Sequence, residues 1–133
     1  MLDEWVPSKK KCILIPSGTH DDPDRHHLFV ILTEACEQGF HLAVSLSSVK
    51  AGVKHDPTCV LDAGCHDFVT AQSFVMYGKI EKLRSAHISK CVAGWTYKPR
   101  GEMPDEQFTR ICDGVEASDF TPGWARHYFK KNA

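Results

Sequence analysis

Residues 27–33 read HLFVILT, and residues 40–47 read FHLAVSLS. The first is a nearly continuous apolar run, the pattern of a strand buried on both faces. In the second, Phe40, Leu42, Val44 and Leu46 alternate with His41, Ala43, Ser45 and Ser47. That period of two predicts a half-buried strand with a small polar face. The polar connection between them has room for one helical turn and closes on Gly39. Two adjacent strands of this kind place the chain among β-rich folds.

On the N-terminal side, residues 11–15 form a short apolar run stopped by Pro16-Ser17-Gly18, a turn signal. The loop THDDPDR at 19–25 then carries three aspartates and ends in Arg25. On the C-terminal side, residues 56–79 (DPTCVLDAGCHDFVTAQSFVMYGK) read as a short strand, a tight turn around Asp62-Ala63-Gly64, a polar Cys65-His66-Asp67 step and an apolar strand. Val60, Leu61, Phe68, Val69, Phe74 and Val75 are its expected core residues, and its alternation weakens after Tyr77. Five or six short strands at this spacing predict a mainly β (α+β) fold, a small antiparallel barrel.

Strand pattern fades after Ser85. Ile88, Cys91 and Val92 have helical spacing within residues 87–95, and Lys98-Pro99-Arg100-Gly101 is expected to end that helix. The clearest helix is 104–117: proline in the first turn, Asp105 and Glu106 at the positive dipole end, and Phe108, Ile111, Cys112 and Val115 on one face. Gly114 inside it costs about 1 kcal/mol relative to alanine. The tail mixes Phe120, Trp124, Tyr128 and Phe129 with Arg126, His127, Lys130 and Lys131, and is expected to pack its aromatics on the body. One domain is expected, with the barrel at about 11–85, a helical part at 86–117 and the tail at 118–133.

The 133 residues are 42% apolar and 25% charged, with a net charge of −1, so attraction to a polyanion has to come from a local patch. The N-terminus has acids first and no apolar core of a signal peptide, and no run reaches the roughly 20 apolar residues of a membrane span. A cytoplasmic protein without a membrane partner is expected, and its six cysteines are expected to be reduced and mostly in the core.

Cys59, Cys65 and His66, with His55 upstream, show no CxxC pairing, so no metal site is expected. P-loop, dinucleotide, GxSxG and HExxH signatures are all missing. A Cys65–His66 nucleophilic pair is disfavoured, because neighbours on a strand face opposite ways; either one can point inward. Arg25-His26-His27 stands where a charged loop enters the most apolar strand, and the small hydroxyls of residues 40–48 lie beside it if the strands form a meander. Histidine suits proton transfer near neutral pH and arginine suits bidentate phosphate contact. That set is suited to metal-free RNA cleavage, but two histidines at a strand end are also compatible with a plain solvated edge.

The order of elements resembles the MazF/PemK-like toxin family over roughly residues 11–117. The resemblance is carried by the Arg-led strand RHHLFVILT, the strand AVSLSS ending in hydroxyls, SFVMYGKIEKL and a following helix. It implies an SH3-like barrel with appended helices, generally dimeric, and a metal-independent endoribonuclease without cofactor that an antitoxin holds in check. The family's catalytic arginine falls on Arg25 or one residue later on His26, and its serine or threonine on Ser47 or Ser48. Here His26-His27 stands where the family has proline, and the loop before it is unusually acidic.

On this basis Arg25, His26, His27, Ser47 and His66 are the expected catalytic set. Ser48, Lys50, Lys54 and His55 are expected to hold single-stranded RNA. An antitoxin protein and a second copy of the chain are the expected partners. The alternatives are a non-catalytic SH3-like module, including a CcdB-like inhibitor of a large enzyme, and a small regulatory domain without activity.

Overall fold

β-Branched and aromatic residues in runs separated by turn residues produce seven short strands among the described residues, and the C-terminal third supplies helices. In the computed structural model, residues 4–17 and 25–133 are described. The strands are β1 (Lys11–Pro16), β2 (His26–Ile31), β3 (Phe40–Ser48), β4 (Val60–Leu61), β5 (Ser73–Val75), β6 (Glu81–Arg84) and β7 (Lys98–Glu102). The helices are α1 (Ser85–Ala93), α2 (Asp105–Ala117) and α3 (Gly123–Asn132). The acidic loop at 21–24 lies outside the described residues.

The sheet runs β4-β5-β3-β2-β1-β7, with β6 also against β3. β1 and β2 form a hairpin with Ile15 opposite His27, and β2 pairs with β3 through Phe29 and Ser45. On its other side β3 is paired twice. Its C-terminal half faces β5 (Ser47 opposite Phe74), and its N-terminal half faces β6 (His41 opposite Leu83). β5 and β6 are thus one interrupted strand, broken by a 3-10 turn at Tyr77–Lys79 where the alternation weakens.

The barrel is not closed. Among the described residues β4 and β7 are the two edges and do not pair. β4 has only two residues, too few to carry a ladder around to β7, and helices cover the gap instead. Phe108, Ile111 and Val115 of α2 and Ala125 of α3 join Leu28, Val44, Leu61 and Tyr77 in the main core. Arg110 of α2 donates to the Val60 carbonyl at 2.8 Å.

Three further expectations are corrected. β3 is buried on both faces, because Ile88 and Val92 of α1 pack over Ile13, Ile15, Phe29 and Ala43. His41 is therefore fully buried; its Nδ1 lies 2.8 Å from the Thr33 carbonyl, while the Leu42 N–H donates to the Thr33 hydroxyl. The segment KPRGE is an edge strand rather than a break, a position in which Pro99 needs no ladder donor of its own. Pro104 is the N-cap of α2 rather than its first residue. The tail folds as α3, with Tyr128 and Phe129 packed on the main core and Phe120 and Trp124 exposed.

Gly114 is explained by the ring that faces it. A Cβ there would lie 1.8 Å from the Tyr77 hydroxyl, which donates to the Ile111 carbonyl at 2.7 Å. Helix and ring approach so closely that only glycine fits.

Candidate active site

The hairpin of β1 and β2 delivers the cationic end of the site. Its neck is closed by the Ser17 N–H donating to the Arg25 carbonyl at 2.9 Å, which holds Arg25 exposed at the mouth and His26 and His27 half-buried behind it. The end of β3 supplies Ser47 and Ser48, fixed by pairing with Phe74 and Ser73. These segments enclose a cleft of about 310 Å³, lined by Arg25, His26, His27, Ser47 and Ser48 over a floor of Leu28, Leu46 and Val69. The far wall is the turn segment Asp67-Phe68, with Thr70 and Ala71.

His27 is the titratable group whose environment is most clearly set. Its Nδ1 lies 2.5 Å from the Ser17 hydroxyl. Burial lowers its pKa below the ordinary 6.5, and the charges of Arg25, Lys79 and Lys50 push the same way. The ring is therefore mostly neutral at pH 7, beside a group of cations that favour an anion.

A second, larger groove of about 1010 Å³ runs along the other side of β5. Lys54, His55, Phe74, Lys79 and Phe120 line it, and the His55 and Phe74 rings lie 5.1 Å apart. Ser73 faces the cleft and Phe74 the groove, as the strand period requires. The groove wall at Asp56 is anchored to the end of α2. The carboxylate accepts from the Thr58 N–H at 2.9 Å, the Thr58 hydroxyl at 2.5 Å and the Ser118 hydroxyl at 2.5 Å. Burial alone would raise the Asp56 pKa, but these hydrogen bonds and the nearby His55 outweigh it and leave it lowered.

Of the residues singled out in the sequence, Arg25, His26, His27, Ser47 and Ser48 come together in the cleft. Lys54 and His55 lie in the groove, and the charge of Lys50 is felt at His27. His66 does not line the cleft. It sits in a turn, not a strand, and both ring nitrogens are engaged: Nδ1 accepts from the Phe68 N–H at 3.0 Å and Nε2 donates to the Arg100 carbonyl at 2.8 Å. No Cys65–His66 pair forms, because that ring is committed to β7 across the open side of the sheet.

Phe68, expected in the core, is 41% exposed and forms part of the cleft wall, since residues 62–69 turn rather than extend. Ser17 was missed as well; its turn signal concealed a hydroxyl that reaches back to the strand. Among the described residues no three His, Cys, Asp or Glu side chains are grouped so as to hold a metal ion. All six cysteines are free, with Cys12 and Cys59 buried and the rest half-buried.

No protein-family model and no curated protein matches this chain. Solved structures do. Crystal structures of MazE-MazF from Deinococcus radiodurans, in Form-II and Form-III, superpose with TM-scores of 0.53 and 0.55 at 13% identity. They cover 85% of this chain and 94% and 95% of theirs. Form-I gives a TM-score of 0.53 at 14% identity over 86% of this chain and 96% of the other. At that identity the likeness is one of architecture: this chain has a MazF-like fold.

Proposed function

We propose that this chain is a toxin-like endoribonuclease that cuts single-stranded RNA without a metal ion, as part of a toxin–antitoxin type module in the cytoplasm. The observation that carries the reading is the cleft itself, where Arg25, His26 and His27 meet the hydroxyls of Ser47 and Ser48 within a MazF-like fold. In the proposed reaction the 2′-oxygen attacks the adjacent phosphorus, the bond to the 5′-oxygen breaks, and a 2′,3′-cyclic phosphate remains. His27, neutral near pH 7, takes the 2′-OH proton, and a second acid protonates the leaving 5′-oxygen. Arg25 stabilises the crowded phosphorane as a charge that cannot be lost. Ser47 and Ser48 orient the scissile phosphate.

The larger groove supports the same reading. Its paired His55 and Phe74 rings offer a stacking surface to an unpaired base, and Lys54 and Lys79 offer counter-charges to the phosphates. Purified protein freed of partners and incubated with single-stranded RNA in excess EDTA should yield cyclic-phosphate ends. Intact RNA would sink the nuclease reading. Arg25→Ala should abolish cleavage while leaving the circular dichroism spectrum unchanged; retained cleavage would mean the site is misplaced.

A second reading is favoured by the apolar character of the groove, where Val53 and Phe120 are exposed. In it the groove holds a protein segment, either an antitoxin or the target of a CcdB-like inhibitor. The solved structures of similar fold are complexes of MazF with MazE. Growth arrest with intact cellular RNA would favour this reading over the nuclease. The homodimer implied by the family resemblance is tested by light scattering on the purified chain.

A further inference from the structure

His27 shares its β1–β2 ladder position with Ile15, and Ser17 lies two residues beyond Ile15 on the opposite strand. The Ser17 hydroxyl oxygen makes two contacts there: it is 3.2 Å from the Ile15 carbonyl and 2.5 Å from His27 Nδ1. A hydroxyl has one proton and a carbonyl can only accept, so the contact to Ile15 uses that proton. What remains on the serine oxygen is lone pairs, and these can be met only by an N–H. Both contacts are satisfied together in one arrangement alone, Nδ1–H to Ser17 Oγ and Oγ–H to the Ile15 carbonyl.

We propose that Ser17 is a positioning residue that fixes the Nδ1–H tautomer of His27, leaving the Nε2 lone pair as the proton acceptor for the cleft. The assignment of that acceptor to RNA cleavage rests on the nuclease reading above; the tautomer itself does not. The arrangement has a kinetic consequence. When Nε2 takes up a proton, Nδ1–H keeps donating to the same oxygen, so no partner at Nδ1 has to change. The histidine can gain and lose a proton with the ring held still.

The charged groups acting on the ring come from three elements: Arg25 from the hairpin, Lys50 from the connection after β3, and Lys79 from the 3-10 turn. All are cations and all oppose protonation at Nε2. Ser17, by contrast, presents only oxygen lone pairs to Nδ1 and so does not penalise the charged ring. It orients the base while burial, together with the arginine and lysines, sets how strongly the ring binds its proton.

The test is long-range proton–nitrogen NMR of the full-length 15N-labelled protein above the His27 titration. The expected spectrum shows Nδ1 protonated and Nε2 bare in the wild type. In Ser17→Ala the expected spectrum shifts toward protonated Nε2, and Ser17→Thr, which keeps the hydroxyl, restores the wild-type pattern. A wild-type spectrum with Nε2 protonated overturns the proposal, as does an unchanged tautomer in Ser17→Ala. In the cleavage assay Ser17→Ala should lower kcat by about 10- to 100-fold, part of the 10²- to 10⁴-fold a general base supplies, with KM changed less than about twofold. If the wild type cuts no RNA, the nuclease reading fails alone, because the NMR experiment still decides the tautomer.

Discussion

At the residue scale, the identity of a side chain sets what it can do, and its neighbours set the pH at which it does it. Histidines 26 and 27 were recognisable from sequence as proton-transfer candidates, but nothing in the sequence separated their environments. Burial together with Arg25, Lys79 and Lys50 depresses the His27 pKa, and the proposed base therefore stays deprotonated to pH values below 6.5. We expect the acid limb of kcat/KM for RNA cleavage to lie below pH 6.5, where the pH drops through this lowered value. Lys79→Ala and Lys50→Ala should each move that acid limb upward, since each removes a repelling charge. A limb at or above pH 6.5 in the wild type would assign the base to another group. His66 shows the converse lesson. A histidine next to a cysteine in a polar step invites a catalytic reading, but two backbone partners use up its ring.

Among the elements, two contacts fix how the helices meet the sheet. Helix propensity alone predicts that Gly114→Ala stabilises α2 by about 1 kcal/mol. The Tyr77 ring reverses the sign. A methyl group 1.8 Å from its hydroxyl forces helix and 3-10 turn apart, and we expect a net loss of about 2–4 kcal/mol in urea unfolding. An unchanged or raised midpoint would show that the two elements separate without cost. Asp56 ties the connection after β3 to the end of α2, through its bond from Ser118. Its lowered pKa means that its stabilising contribution is fully present above the ordinary value of 3.8 and is lost as pH falls through the folded value. Asp56→Ala should therefore cost about 2–3 kcal/mol near pH 7, the range of a lost charge-assisted bond with its partners left unpaired. The deficit should shrink as the pH falls through that lowered value, and a deficit that persists once the carboxyl is protonated would mean that the cost is packing rather than charge.

On the scale of the whole molecule, the question is how an open sheet is kept rolled around its core. β4 and β7 do not pair among the described residues, and the His66 ring bridges from the turn after β4 to the Arg100 carbonyl in β7. His66→Ala should leave secondary structure intact, lower stability by about 1–2 kcal/mol, and speed amide exchange in β7 and residues 62–69 ahead of the rest of the sheet. Uniform acceleration would argue against a local seam. The sequence by itself determined β1 to β5 and the α2 helix, because alternation and helical spacing are local consequences of burying one face. It also marked Arg25 with His26-His27 and the hydroxyls ending β3, since residue type and position along a strand are written in the chain. It was misleading wherever the outcome depended on a partner distant in sequence. β3 is buried on both faces because α1 returns over it, KPRGE becomes a strand because β1 offers it an edge, and Phe68 reaches the cleft because residues 62–69 turn. Ser17 and His27 are ten residues apart, and only the hairpin register brings the hydroxyl to Nδ1. Local pattern decides what an element is; which groups share a proton is decided by the packing that brings them within hydrogen-bonding distance.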